Sequence, residues 1–422
     1  MRSAQRFKTL LVGLVVVVAG AIASVAQAPD QVFDLSHARR LSMRMVPPVR
    51  VSPNAATLSP VPGIDSIVNF TGDFRTPGVD SEGNPQNLWF YSMVGNPPRT
   101  GGTTVVNAPI IPVTVDLLDF DGSVRVINGH RLHYEPTKFV QPVLNSPVFQ
   151  TAKFSSSNVP TQFTDAVQRA EFFNAMKPDW HTLLNPSVKP GRTMSIPRGT
   201  YLFALNEDGS CCQFVLVDVD TFVNLLFPAL PDDTSTPIGA AENAGDITTK
   251  DLSSFLFPNT YLFFNGDPSQ CCVLGFHSFD FEPGDDSNGF LPKLYVVDYA
   301  SWITPGLFGA SFADVTALSH EIAEIYDDPF VVGDGVHNAT PWWLSPNGLC
   351  QNNLENGDVI EGLPDATFAM KMKGRTYHPQ NEALLQWFEF QSPSTAIGGA
   401  YSYPNTKVLT SLSAPQNAGC AP

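Results

Sequence analysis

Charge is scarce in this chain, and positive charge is scarcest. The 422 residues include 24 Lys and Arg against 40 Asp and Glu, and charged residues make up only 15%, where about 25% is usual. A net charge of −16 excludes a protein built to hold nucleic acid or an anionic membrane surface. Beyond the N-terminus no apolar run approaches the roughly 20 residues that a membrane-spanning helix needs. No internal repeat is present, and no cysteine precedes Cys211. What stands in place of charge is 37 Pro and 31 Gly, which imply many turns and long ordered loops over a surface rich in Ser, Thr, Asn and Gln.

The first 28 residues combine Arg2, Arg6 and Lys8, an apolar run from Leu10 to Ile22, and Ala26-Gln27-Ala28 ahead of Pro29. This pattern predicts a secretory signal peptide cut after Ala28 and a secreted, extracellular or periplasmic protein with no membrane attachment after cleavage. Cleavage leaves 422 − 28 = 394 residues and changes the charge to 21 − 40 = −19. Residues 29–100 read as an extended Pro/Ser/Asn-rich segment and residues 101–422 as the main body. The six cysteines, Cys211, Cys212, Cys271, Cys272, Cys350 and Cys420, predict disulfides in an exported chain. Adjacent cysteines are poorly placed to bridge each other, so the 211/212 pair is expected to reach elsewhere, with the 271/272 pair as one partner. A metal–thiolate cluster is the alternative.

Val105 to Leu118 and Ser123 to Ile127 read as strands about a turn at Asp119-Phe120-Asp121-Gly122, a sequence too short to be an EF-hand loop. Residues 161–176 have helical spacing, with Asp165 and Arg169 placed for an i,i+4 ion pair. Strand-like runs follow at Thr200 to Leu205, Gln213 to Val219, Tyr261 to Phe264, Val273 to Phe279 and Leu294 to Ala300. Strands before one conspicuous helix predict an α+β, zincin-like fold: a twisted mixed β-sheet packed on a metal-binding active-site helix, with many loops.

That helix is the stretch Ser311 to Phe330, SFADVTALSHEIAEIYDDPF. Ser311 and Asp314 suggest a capping box, and Pro329 marks the end of a run of about four turns. Val315, Leu318, Ile322 and Ile325 recur at helical spacing and form one apolar stripe. His320 and Glu324 fall opposite it, with Glu321 on the flank. The arrangement follows the zinc-hydrolase pattern H-E-x-x-H with Glu324 in the second ligand position. The simpler reading is a solvated i,i+4 pair. Against that reading, Glu321, Glu324, Asp327 and Asp328 crowd the end of the helix where the macrodipole disfavours anions, a cost that a bound cation reverses.

A further ligand must come from downstream. Glu355 and Asp358, within Glu355-Asn-Gly-Asp358-Val-Ile-Glu361-Gly362, are both in position, and His337 and His378 are rivals without supporting context. His277, between aromatics in GFHSF, reads either as a hydrogen-bonded core histidine or as a catalytic group stabilising an oxyanion.

SHEIAEIYDDP, then Trp342-Trp343, then ENGDVIEG resemble the C-terminal region of the plant exordium (phosphate-induced) secreted proteins. Those carry an H-E-L-A-E helix, an aromatic loop and an E-I-G-D-x-C-E-G segment. His320, Glu321, Glu324, Pro329, Glu355, Gly357, Asp358, Glu361 and Gly362 match, while Ile360 stands where that family has cysteine. The resemblance covers Cys271 to Gly362; TQFTDAVQRAEFF and YHPQNEALLQWFEF look more like uncharacterised exported bacterial proteins. It implies secretion and a shared fold more than catalysis.

The functional expectation is a secreted zinc peptidase-like hydrolase. His320 and Glu324 with Glu355 or Asp358 hold the metal, and Glu321 is general base to a metal-activated water. Two carboxylate ligands leave that water less acidified than three histidines would, so slow turnover, or calcium or manganese in place of zinc, is also expected. Trp342 and Trp343 are placed to line a cleft over a peptide or cell-wall polymer. The alternative is a non-catalytic exordium-like wall or binding protein with a structural metal, and a glycosidase using Glu321 with Asp358 is a third.

Overall fold

Thr103–Leu117, 15 residues long, is the strand on which the main sheet is built. A computed structural model describes residues 63–75, 88–156, 158–331, 343–351 and 353–412, all within one compact unit spanning Val32–Pro422. The predicted signal peptide, His337, Trp342 and Cys420 lie outside the described residues.

One edge of this strand pairs in parallel with His181–Val188 and then with Arg192–Ile196. Its other edge pairs in parallel with Leu252–Pro258. Beyond that strand lie Lys293–Trp302, parallel, and Gly275–Glu282, antiparallel. A second sheet of four strands, in the order Cys271–Val273, Thr260–Phe263, Cys211–Asp218 and Tyr201–Leu205, stands beside it. The sheets are mixed, and the main one curls against the helix Thr316–Asp327. The expected α+β architecture with a mixed sheet on the site helix is the one found.

Leu252–Pro258 is buried at every position, as a parallel strand covered on both faces must be. Leu252 and Leu256 turn toward the site helix, in one core with Val296, Ala300, Val315, Leu318, Ile322 and Ile325. Phe255 and Phe257 turn the other way, packing with Phe222, Phe276 and Tyr299. The apolar stripe of the helix is therefore seated as its spacing predicts. The opposite face is not solvated, because all twelve helical residues are buried.

Several local expectations are corrected. The helix begins at Thr316 after Val315, with no side-chain cap. Asp314 does not serve as a capping-box acid. Its carboxylate accepts from the Val315 and His378 backbone N–H groups and contacts His378 Nδ1 at 2.7 Å. His378 thus fixes the entry to the helix and is not a rival ligand. The helix at 161–176 is shorter, Phe163–Glu171, and its Asp165–Arg169 ion pair gives way to other partners. Asp165 binds Thr161, His181 and the Thr182 N–H, while Arg169 donates to the carbonyls of Trp180 and Pro178. Ser123 to Ile127 contributes only the short strand Val126–Ile127 and one bridge across the Asp119–Gly122 turn.

The cysteines also depart from expectation. Cys211–Cys212 and Cys271–Cys272 are vicinal disulfides across cis peptides, with Cα atoms 3.0 Å apart. The argument against adjacent bridging assumed a trans peptide, which sets Cα atoms about 3.8 Å apart. Cys350 is disulfide-bonded as well, and no free thiol exists among the described residues, which removes the thiolate alternative there. Among the described residues no helix is long and apolar enough to cross a membrane.

Residues 63–75 and 88–94 lie inside the segment predicted to be extended. There Asn69–Arg75 and Leu88–Val94 form an antiparallel pair. Met93 and Val94 are fully buried.

Candidate metal centre

Three elements converge on the polar face of the site helix. The helix supplies His320, Glu321 and Glu324. The antiparallel strand Gly275–Glu282 supplies His277, whose alternation with Phe276 and Phe279 turns it to the helix side of the sheet. The chain after Asn353 returns over the helix to supply Glu355 and Asp358. All are buried: His277 and His320 are 0% exposed, Glu321, Glu324 and Glu355 1%, and Asp358 5%.

Glu324 is the common member. Its Oε1 lies 3.1 Å from His320 Nε2 and its Oε2 lies 3.4 Å from His277 Nδ1. Asp358 Oδ1 is 3.7 Å from His320 Nε2, and Glu355 Oε2 is 3.9 Å from His277 Nδ1. Glu321 is farther than Glu324 from both imidazoles, at 4.0 Å from His320 Nε2 and 3.7 Å from His277 Nδ1. His277, Glu324 and Glu355 form one set of possible ligands, and His320, Glu321 and Glu324 another, each with ligand atoms within 4.8 Å of one another. Tetrahedral ligands about 2.0–2.2 Å from a zinc-sized ion lie roughly 3.3–3.6 Å apart, and the separations here, from 3.1 to 4.0 Å, lie on either side of that range.

The surroundings orient both rings. His277 Nε2 donates to the Asp328 carbonyl at 3.1 Å. A carbonyl only accepts, so Nε2 carries a hydrogen, and Nδ1 is the atom turned to the acids. This is the usual second-shell arrangement around a ligating histidine. His320 Nδ1 lies 2.9 Å from the Gln380 side-chain nitrogen, which also donates to the Gly357 carbonyl at 2.7 Å; an amide N–H only donates, so Nδ1 accepts, the neutral ring carries its hydrogen on Nε2, and that hydrogen has to leave when Nε2 binds a metal. Neither inward nitrogen has a hydrogen-bond partner, nor does Glu321 Oε1 or either oxygen of Glu355. Such orphaned buried atoms are costly unless something satisfies them.

Glycines make room for the cluster. A Cβ at Gly357 would stand 2.4 Å from His320 Nδ1, and one at Gly275 2.4 Å from Glu321 Oε1. The returning loop is tied to the helix by Asp358 N–H donating to Glu324 Oε1 at 3.2 Å and Asn356 Nδ2 donating to Asp327 at 2.7 Å. The turn at Asn356-Gly357 therefore lies directly against the His320 ring.

Without an ion the cluster is electrostatically divided. Burial, and then the Glu324 charge, push Glu355 and Asp358 well above the carboxylate range. Burial likewise raises Glu321. Burial also opposes ionisation of Glu324, but His320 and His277 outweigh it and hold Glu324 low. Burial disfavours charge on both imidazoles, yet Glu355 at His277 and Glu324 at His320 raise them well above their ordinary value. Protons thus occupy the positions that a cation would take, the relation expected of metal ligands.

Sequence reasoning weighed Glu355 against Asp358 as a third ligand. The structure brings both in, one beside each imidazole. His277, read mainly as a core histidine, faces the same cluster. Gln380 and Gly275 were missed; no periodicity or motif marks them, since their roles depend on contacts 60 and 46 positions away in sequence. His337 and Trp342 lie outside the described residues, and the Trp343 side chain is outside them too.

The helix carries a buried His/Glu cluster, on a curled mixed sheet, that is consistent with a zincin-like metal-binding site. No protein family, no curated protein and no solved structure matches the chain, and the resemblance to exordium proteins gains no support from these comparisons.

Proposed function

We propose that this protein is an exported, metal-dependent hydrolase of the zinc peptidase type. The observation that carries this reading is Glu321: fully buried between two imidazoles, with Oε1 free of any hydrogen bond. A divalent ion held by His320, Glu324 and Asp358 would polarise a carbonyl and acidify a water. Glu321 Oε1 is the group that would take a proton from such a water and pass it to the leaving group. Burial, which raises Glu321, suits a group that must hold a proton for part of a cycle. The excess of carboxylates over imidazoles suits zinc and also the harder manganese and calcium ions. A peptide or cell-wall polymer is the substrate class, and the pattern of the N-terminal 28 residues supports export.

The test is Glu321→Gln, assayed against a peptide library alongside metal analysis. The expected result is loss of at least about a hundredfold in hydrolysis, the scale of general-base catalysis, with metal content unchanged.

A second reading rests on the burial itself. Catalytic metal sites keep a position open to substrate, and every ligand here is at most 5% exposed. A non-catalytic, exordium-like wall or binding protein with a structural ion accounts for that closure. In this case the wild type shows no hydrolysis, while removal of the ion lowers the melting temperature.

A further inference from the structure

Glu324 presents one oxygen to each imidazole, and each imidazole has its own second acid. Around His277 Nδ1 stand Glu324 Oε2 at 3.4 Å, Glu321 Oε2 at 3.7 Å and Glu355 Oε2 at 3.9 Å; Glu355 belongs to this half alone, whereas Glu321 also faces His320. Around His320 Nε2 stand Glu324 Oε1 at 3.1 Å and Asp358 Oδ1 at 3.7 Å. Each half therefore has one imidazole nitrogen, one terminal carboxylate and one oxygen of a shared carboxylate. From this arrangement we infer that the centre is binuclear, holding two divalent cations bridged by Glu324.

Charge points the same way. Glu321, Glu324, Glu355 and Asp358 place four carboxylates in a space closed to solvent. Glu382, fully buried as well, interacts with His320, Glu324 and Glu321, so one dication leaves more negative charge uncompensated in a low-dielectric interior than two do, a costly state. Both inward imidazole nitrogens and both Glu355 oxygens lack hydrogen-bond partners. A single ion placed at His320 leaves His277 Nδ1 and Glu355 unsatisfied; a second ion satisfies them. A carboxylate bridging through its two oxygens suits the separation of about 3.5–4 Å common to two-metal sites. Glu321, farther than Glu324 from both nitrogens, keeps the proton-accepting role given above. The inference rests on the metal-dependent reading and adds a second ion to it.

Ion stoichiometry tests this. The mature protein is stripped with a chelator and reloaded with Zn²⁺ or Mn²⁺. Bound metal is then counted by plasma mass spectrometry in the wild type, His277→Ala and His320→Ala, with circular dichroism as a check on folding. The expected content is about two ions per chain in the wild type and about one in each variant, as a two-metal centre requires. Manganese-loaded wild type should also give the spin-coupled resonance of a bridged pair, and the variants the six-line signal of an isolated ion. Should a histidine variant misfold, the near-isosteric Glu355→Gln and Asp358→Asn replace it, with the same loss of one ion expected. One ion in the wild type with an uncoupled spectrum overturns the binuclear centre and leaves the hydrolase reading standing. No stoichiometric ion in the wild type overturns both.

Discussion

Two groups of acids in this molecule have ligand-like spacing, and they differ in what surrounds them. The first is the Glu324 cluster, sealed beneath the site helix with two imidazoles. The second is Glu242, on the helix Pro237–Asn243, with Asp280 and Glu282 on the strand Gly275–Glu282, in a partly exposed part of the molecule. It has no histidine, and the Lys293 charge acts on Glu242 and Glu282. Burial, then the neighbouring acids, raise Glu242 to about 9, so a proton settles that group without a metal. Spacing alone thus does not make a metal centre. Closure from water and a ring nitrogen with a fixed hydrogen on its far side do.

The largest effect that separates the two regions is expected from truncating their central acids. Glu324→Ala should lower Zn²⁺ affinity by more than about a hundredfold, beyond the 10–100-fold typical of second-shell changes, whereas Glu282→Ala should leave it unchanged. Isothermal titration of stripped protein reads both, and equal losses would erase the distinction. Next comes the packing that closes the first cluster. Leu318 is 2% exposed in the core beneath the helix, so Leu318→Ala should cost about 2–5 kcal/mol in denaturant unfolding of the metal-free protein.

The smallest effect is a pH control outside both clusters. Burial raises Glu389 to about 7, so the folded state binds a proton there more tightly than the unfolded state does. Its contribution to stability is complete below the unfolded value near 4.5 and is lost as pH rises to about 7. Melting temperature followed over that window should fall less steeply in Glu389→Gln, and metal should not alter the difference.

Much of the site was legible because its signals are local. The stripe Val315, Leu318, Ile322 and Ile325 lies in one core, and the i,i+4 relation of His320 and Glu324 is a consequence of helical pitch. Glu355 and Asp358 carried a charge pattern that drew attention, although nothing local assigned each to its own imidazole. Leu252–Pro258 escaped notice because full burial on both faces erases the period of two. Pro186 and Pro190 disguised the neighbouring strands His181–Val188 and Arg192–Ile196. The capping-box reading failed because Asp314 is engaged by His378, 64 residues downstream. The vicinal disulfides lay beyond reach, since only a cis peptide brings those Cα atoms to 3.0 Å.

The central claim is that a divalent cation is held by Glu324 together with the inward nitrogen of a facing imidazole, His320 or His277. Anomalous diffraction at the zinc edge, from crystals of the metal-loaded mature protein, tests it most directly. The account predicts anomalous density about 2.0–2.2 Å from an inward ring nitrogen and a Glu324 oxygen. A clean anomalous map at this cluster, with density only at surface acids such as Asp280 and Glu282, would contradict it.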